Sequence, residues 1–584
     1  MKKVFIISVL FFLVGNLIAQ MNTGIDYFLL GDYDKAQGYI GEQLANDPAT
    51  ANFYLGEIAF KQGDLQGAQA FYNKGLAAAP DNALNQVGLA KVQLKTNEKV
   101  AETTFSAIQR KHKKDVGVVL AIGRAYLDNN LLDKAQEKVE EAKKINKTAP
   151  EIYILEGDVL ASAGSSEKKL GEAGGKYEMS IYFNPEFCLG YVKVAQVYEH
   201  INSALAIEKL KAVVEKYPDY IVAYDYLGRL YTQNGFYPQA IDMYKVYFNL
   251  SDFYTVDDIE KYSRALYFTD NFAAAEEMVN KGLQKSPEHF VLNRYLMYIK
   301  AKTKDVVNGE EVARNFFSLR NGKDTVSYIP QDYTMYAMIL KNDKRYDEAL
   351  DLYEKAIDME PYKLERYTEA ADLAKEKKDF GRSAGFYQRF MDKKAELHAG
   401  DDFQDDLVDI NTLGYYYYSA GATIGKNPQV AEGLMKDEAL VHKLQVANPG
   451  SEKDSLQTNV NYFSKFYSLY SLHKADSVFD ILIARAPESY SGYRLKALTQ
   501  HAINPDTQIG LAKPYYEKTV EVITERGDDL TTSSKSVLLE AYNYLGYYYY
   551  MNDDKPNTIV YWNKVLEIDP DNKNAKLILE DVNK

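Results

Sequence analysis

Cysteine occurs once in the 584 residues, at Cys188. An intramolecular disulfide is therefore excluded, as is any structural zinc site that needs two or more cysteines. Stability has to come from packing. Tryptophan also occurs once, at Trp562, and the seven histidines are scattered with no HExxH spacing among them. His442 and His473 fall in helical stretches and read as packing or surface residues. No serine sits in a GxSxG context. Positive charge is in deficit: 69 Lys and Arg against 83 Asp and Glu leave a formal net charge of −14. That average field repels a phosphate backbone, which argues against nucleic acid as a partner. The best basic run, RKHKK at 110–114, reads as a solvated helix end. Beyond the first twenty residues no apolar stretch is long enough to span a bilayer.

The first twenty residues, MKKVFIISVLFFLVGNLIAQ, are different. A basic start is followed by a short apolar run and a small residue, Ala19. The layout is that of a secretory signal peptide over 1–20, so the mature chain is expected to be exported and to have no transmembrane segment. No cysteine stands at the expected cleavage point, so lipid anchoring there has no support.

What the chain has in abundance is tyrosine, with 50 residues against 25 Phe. Charged residues at 26% and hydrophobic ones at 46% are ordinary for a folded soluble protein. The length exceeds one compact core and predicts several domains or one elongated array. Two stretches stand out: TLGYYYY at 412–418 and YLGYYYY at 544–550.

These stretches belong to a repeat. Residues 55–80, 227–248, 340–361 and 545–570 share two helical segments joined by a short polar turn. The first segment carries Gly with a large residue three later, as in Gly123/Tyr126, Gly228/Tyr231, Gly414/Tyr417 and Gly546/Tyr549. The second carries Ala and then bulky residues at steps of four, as in Ala68/Tyr72/Leu76, Ala240/Tyr244/Phe248, Ala349/Tyr353/Ile357 and Ala475/Phe479/Ile483. Such spacings put these residues on one helical face. Small residues at the crossing let two backbones approach, and the bulky residues fill the space beside them. Pro48, Pro80, Pro185, Pro218, Pro287, Pro361, Pro487 and Pro570 then mark helix ends, because proline disfavours a helical residue before it. A single pair cannot bury its apolar face alone, so the pairs must stack.

Other motifs fail on spacing. GATIGKN at 421–427 is one residue short of a phosphate loop and lacks its Ser or Thr. GEAGGKY at 171–177 fails similarly. DPDNKN at 569–574 places Lys573 where a calcium loop needs a ligand, so repeat closure explains it better. The acids Asp401, Asp402, Asp405, Asp406 and Asp409 read as a solvated helix start. Nothing singles out a catalytic dyad, and no enzyme activity, cofactor or metal site is expected.

The repeated skeleton resembles the tetratricopeptide repeat family, built from helix pairs of about 34 residues. The resemblance implies an all-α solenoid of stacked antiparallel helix pairs. About fifteen units are expected, and those near 82–115, 189–218 and 364–395 are degenerate. The expected division is a signal peptide at 1–20, an N-terminal array at 21–302 and an irregular linker at 303–331. A C-terminal array at 332–570 and a capping helix at 571–584 follow. In proteins resembling this family the first helices line a concave groove that binds a partner protein or peptide. Carried over to this chain, the groove positions are Phe53, Glu57, Phe60, Arg124, Asp225, Arg229, Asn411, Tyr415, Tyr418, Asn543, Tyr547 and Tyr550. The Lys/Asn carboxylate clamp of one branch is missing, since Phe53/Glu57, Asp225/Arg229 and Asn543/Tyr547 hold its slots. The repeat style and the ending IAQ also resemble exported repeat proteins of Bacteroidota-type bacteria, which implies a periplasmic location. The overall expectation is a protein-binding scaffold of the cell envelope. The alternative is an aromatic-lined glycan-binding protein. On the tetrad helices, Tyr417 and Tyr549 are expected in the core.

Overall fold

The structure is a computed structural model that describes residues 19–164, 166–319, 328–399, 404–525 and 531–584. The signal peptide expected at 1–20 thus lies outside the described residues but for its last two. So do Asp401 and Asp402, the middle of the 303–331 linker, and residues 526–530. The described residues are predominantly helical, contain no strand, and run as consecutive helix pairs. The chain divides into two compact units, Met1–Ile299 with Asn315–Leu319 and Lys300–Arg314 with Arg320–Lys584.

Unit 1 opens with α1 (residues 19–30), α2 (Tyr33–Glu42), α3 (Pro48–Lys61) and α4 (Leu65–Ala78). It continues with α5 (Ala83–Gln93), α6 (Glu98–Lys111), α7 (Val116–Asp128), α8 (Leu132–Asn146), α9 (Pro150–Ser162) and α10 (Glu167–Phe183). The helices α11 (Cys188–Tyr198), α12 (Ser203–Lys216), α13 (Ile221–Gln233), α14 (Tyr237–Leu250), α15 (Val256–Tyr267) and α16 (Phe272–Lys285) follow.

Local chemistry sets the helix ends. Asp32, Asp47, Asp64, Asn82, Asn97 and Asp115 each cap a helix, the side-chain oxygen accepting from the N–H three residues on. The turn inside a pair needs a left-handed residue, supplied by Gly63 (φ 86°) in one repeat and Asn130 (φ 60°) in another. The turn between pairs is set by proline. Ala79, Asn184, Tyr217, Ser286, Glu360, Ala486 and Asp569 each precede a proline, with φ between −128° and −142°. The proline ring excludes the helical conformation from the residue before it, and the second helix stops there. Pro48 corrects the expectation of a closing proline: it is the first residue of α3, where its missing N–H has no helical partner to lose.

The helix crossings follow the expected steric pattern. Gly56 and Gly88 lie against Tyr72, Gly157 against Tyr177, Gly228 against Tyr244, Gly414 against Phe479 and Gly546 against Trp562. A Cβ on Gly56 would stand 2.5 Å from Tyr72 Cε1, and one on Gly546 2.8 Å from Trp562 Cε2. Tyr72, Tyr244, Phe479 and Trp562 are fully buried.

In unit 2 the tetrad helix Leu407–Thr423 pairs with Val460–Arg485, and short helices at Pro428–Leu434, Glu438–Ala447 and Lys453–Thr458 intervene. The repeat that opens with the tetrad helix therefore runs on to Arg485. The insertion has its own apolar core around Val441, Leu444, Leu456 and Phe463. The expectation for the tetrads is corrected as well. The buried tyrosine of the first is Tyr416, 3% exposed, while Tyr417 and Tyr549 are half-buried. The preceding repeat covers Tyr416: its ring lies edge-on to Tyr387, and its hydroxyl donates to Asp372 at 3.3 Å. Tyr549 stacks on Tyr561 and donates to Glu517 at 2.8 Å.

Candidate functional site

The first-helix face of unit 1 is occupied by the chain itself. The C-terminal part of α1 lies against it. Phe28 packs edge-on to Tyr54 of α3, and Leu29 and Leu30 pack on the cluster of α9, α10 and α11. Tyr220, at the start of α13, donates to Asp26 at 2.8 Å, and Gln196 of α11 donates to the Leu30 carbonyl. The companion helix α2 closes the curl. Lys35 Nζ bonds Asp225 of α13 at 2.5 Å and Asp258 of α15 at 2.9 Å. Tyr39 meets Ser251 at 2.7 Å, and Phe253 sits over Gly38. Repeat one is thereby fastened to repeats seven and eight, with α1 on the inner side of the curl.

Lys35 is 3% exposed, and an unpaired ammonium there would be very costly. Burial works against its charge, but the carboxylates of Asp225 and Asp258 more than offset that and hold its pKa well above the ordinary range. Burial also pushes Asp225 up to about 6, against the opposing pull of Lys35. A second buried set joins α3, α5 and α7: Lys91 bonds Glu57 at 2.8 Å and Asp128 at 2.6 Å. A third joins α7, α9 and α11, where Asp158 takes Arg124 at 3.1 Å and Lys193 at 3.0 Å.

Six of the twelve groove residues expected from the sequence belong to this face, and the four charged ones are each already paired. Phe53 and Phe60 are buried, Phe60 beneath the Lys91 ammonium at 4.2 Å. Glu57 also accepts from Tyr72, Arg124 holds Asp158, and Asp225 holds Lys35. Arg229 pairs with Glu199 at 2.7 Å and stacks on Tyr226.

The other six lie in unit 2, on Leu407–Thr423 and Thr532–Met551. Tyr415 is 42% exposed and Tyr547 36% exposed, the latter edge-on to Trp562 at 4.9 Å. Tyr418 lies beside the Arg494–Glu540 ion pair, which links Tyr490–Ile503 to Thr532–Met551. Three successive first helices thus meet at one face. The Asn411 side-chain oxygen is buried without a hydrogen-bond partner among the described residues. Asn543 donates to the Leu539 carbonyl within its own helix. Tyr550 donates to Asp581 of the last helix, Lys573–Val582, at 2.8 Å.

Sequence reasoning did not find Lys35, Asp258, Asp26 or Tyr220. Their partners lie 190 or more residues away, and the local DYDKA around Lys35 looks like any exposed second-helix start. Among the described residues no group of three or more His, Cys, Asp or Glu is placed to hold a metal ion. No helix among them is long and apolar enough to cross a membrane.

Comparison with known proteins fits the helix-pair geometry. Residues 21–83 and residues 333–363 each match the family described as tetratricopeptide repeat. No curated protein matches the chain. A solved structure of the C-terminal part of a TPR repeat-containing protein from Cytophaga hutchinsonii is 23% identical over 55% of this chain and 99% of its own, with a TM-score of 0.34. A tetratricopeptide repeat protein from Parabacteroides merdae is 15% identical over 44% of this chain and 98% of its own, with a TM-score of 0.28. YrrB, titled a TPR protein with an unusual peptide-binding site, is 18% identical over 32% of this chain and 95% of its own, at a TM-score of 0.26. Both units of this chain therefore carry tetratricopeptide repeats, the first matched at its opening pairs α1 to α4 and the second at Pro330–Asn342 and Tyr346–Met359.

Proposed function

We propose that this chain is a non-catalytic scaffold of the cell envelope, exported to the periplasm, that binds a partner protein or peptide on the first-helix face of unit 2. Tetratricopeptide repeats are known for protein–protein interaction. The observation that carries the choice of face is the contrast between the units: α1 lies against the first-helix face of unit 1, whereas Tyr415 and Tyr547 stand exposed in unit 2. A tyrosine offers a broad apolar face and a polar tip at little entropic cost, which suits a protein interface. Near Tyr418 on these helices, the Arg494–Glu540 pair brings charge. The location rests on the sequence of residues 1–20.

The test is recovery of crosslinked partners from periplasm with the parent chain and with the Tyr415→Ala/Tyr547→Ala double variant. At least about a tenfold loss of a specific protein is expected, the size of one to two interface anchors. Undiminished recovery in the double variant would refute the assignment of this face. Sugar binding on a glycan array that Tyr547→Ala abolishes, with no protein recovered, would replace it with the glycan reading.

A further inference from the structure

Between α1 and the first helices of unit 1 the fold leaves a cavity of about 680 Å³. That is the size of a pocket for a small organic molecule. Its walls are apolar, with Leu29, Leu120, Ile154, Phe187 and Leu189 among them. Its charge is one-sided. Asp26, Glu57, Glu151, Glu186 and Asp219 line it, and Arg124 is the basic residue among the lining groups. Two of these charges cancel elsewhere: Glu57 holds Lys91, and Arg124 holds Asp158. The four remaining carboxylates have no ion-pair partner among the described residues. Glu151, Glu186 and Asp219 are exposed, at the starts of the α9, α11 and α13 segments. Asp26 lies within, and Tyr220 donates to it at 2.8 Å.

An apolar cavity with a carboxylate inside and a ring of carboxylates around it selects for one kind of ligand. Anionic amphiphiles meet repulsion from four unpaired acids. Neutral apolar molecules bring no charge that would hold Asp26 ionised. A cation with an apolar body satisfies both. We propose that the unit 1 cavity binds a small amphiphilic amine, its ammonium on Asp26 beside the Tyr220 hydroxyl and its apolar body against Leu120, Ile154 and Phe187. Burial raises Asp26 to about 7, as expected of a carboxyl that lacks a cationic partner. This site is separate from the face proposed above for protein partners, so either assignment can fail alone.

The test is calorimetric titration of the purified chain with n-octylamine, n-octanol and octanoate at matched ionic strength. Octylamine is expected to bind at least about tenfold more tightly than octanol, and octanoate most weakly. Asp26→Asn keeps an acceptor for Tyr220 and is expected to reduce octylamine to the octanol level. Leu120→Trp fills the cavity and is expected to abolish both. Equal affinities for octylamine and octanol in the parent chain would overturn the proposal without recourse to any variant. So would tighter binding of octanoate, or octylamine binding that survives Leu120→Trp.

Discussion

At the scale of single residues, most of the fold depends on where bulk is absent. Gly546 is the clearest case, because the Trp562 indole occupies the space a side chain would need. We expect Gly546→Leu to cost about 1–3 kcal/mol by overpacking, read as a shifted midpoint in chemical denaturation. An unchanged midpoint would show that the crossing lies elsewhere. The glycines were legible in the sequence, since a Gly with a large residue three later recurs on the first helices, but the ring that fills the crossing comes from the partner helix, which for Gly414 lies beyond the insertion, at Phe479. The tetrad tyrosines were only partly so. Their order around one helix is fixed by helical geometry, but which of them is covered depends on the neighbouring repeat, and Tyr416 is buried by residues nearly thirty or more positions before it. Asp26 gives a pH signature. Its pKa in the folded chain is raised to about 7 from an ordinary value of 3.8. The folded state therefore holds the proton more tightly, and the stability it contributes is lost as pH rises from about 4 through 7. Asp26→Asn cannot titrate, so its stability relative to the parent chain is expected to rise across that interval. Thermal unfolding of both chains at pH 4.5 and pH 8 measures this, and a pH-independent difference would contradict it.

At the scale of helices, the first pair has two roles. It begins the stack, with α2 against α3, and it closes the curl, with Lys35 on Asp225 and Asp258. Removing the ammonium leaves two carboxylates close together in the interior, and breaking a buried pair in this way typically costs about 3–5 kcal/mol. Lys35→Ala is therefore expected to destabilise unit 1 by that order. Amide exchange in α1 and α2 should accelerate before exchange in α7 and α8, which do not touch the closure. Uniform acceleration throughout unit 1 would argue that the first pair is an integral repeat with no separate opening. The pairing of neighbouring helices was readable from the sequence, because caps, glycine turns and prolines act within a few residues. The closure was not. It joins segments about 190 to 220 residues apart, and no local pattern reports contacts at that range.

At the scale of the whole molecule, the solenoid class follows from repetition alone, because a unit that cannot bury its own face must be buried by the next. The family resemblance implied which face lines a groove. It did not indicate that α1 of unit 1 lies against that face, and six of the twelve expected groove residues are buried or engaged in contacts between repeats of unit 1. The accessible part of the expected site is thereby narrowed to the aromatic face of unit 2. A photo-crosslinking scan tests this most directly. A photoreactive phenylalanine is placed at Tyr415 and Tyr547 on first helices, and at Ile481 and Val560, which are exposed on second helices at 52% and 47%. Illumination in intact cells is expected to give the same discrete protein adduct from Tyr415 and Tyr547 and none from Ile481 and Val560. Adducts formed only from Ile481 and Val560, or equally from all four positions, would contradict the proposed binding face.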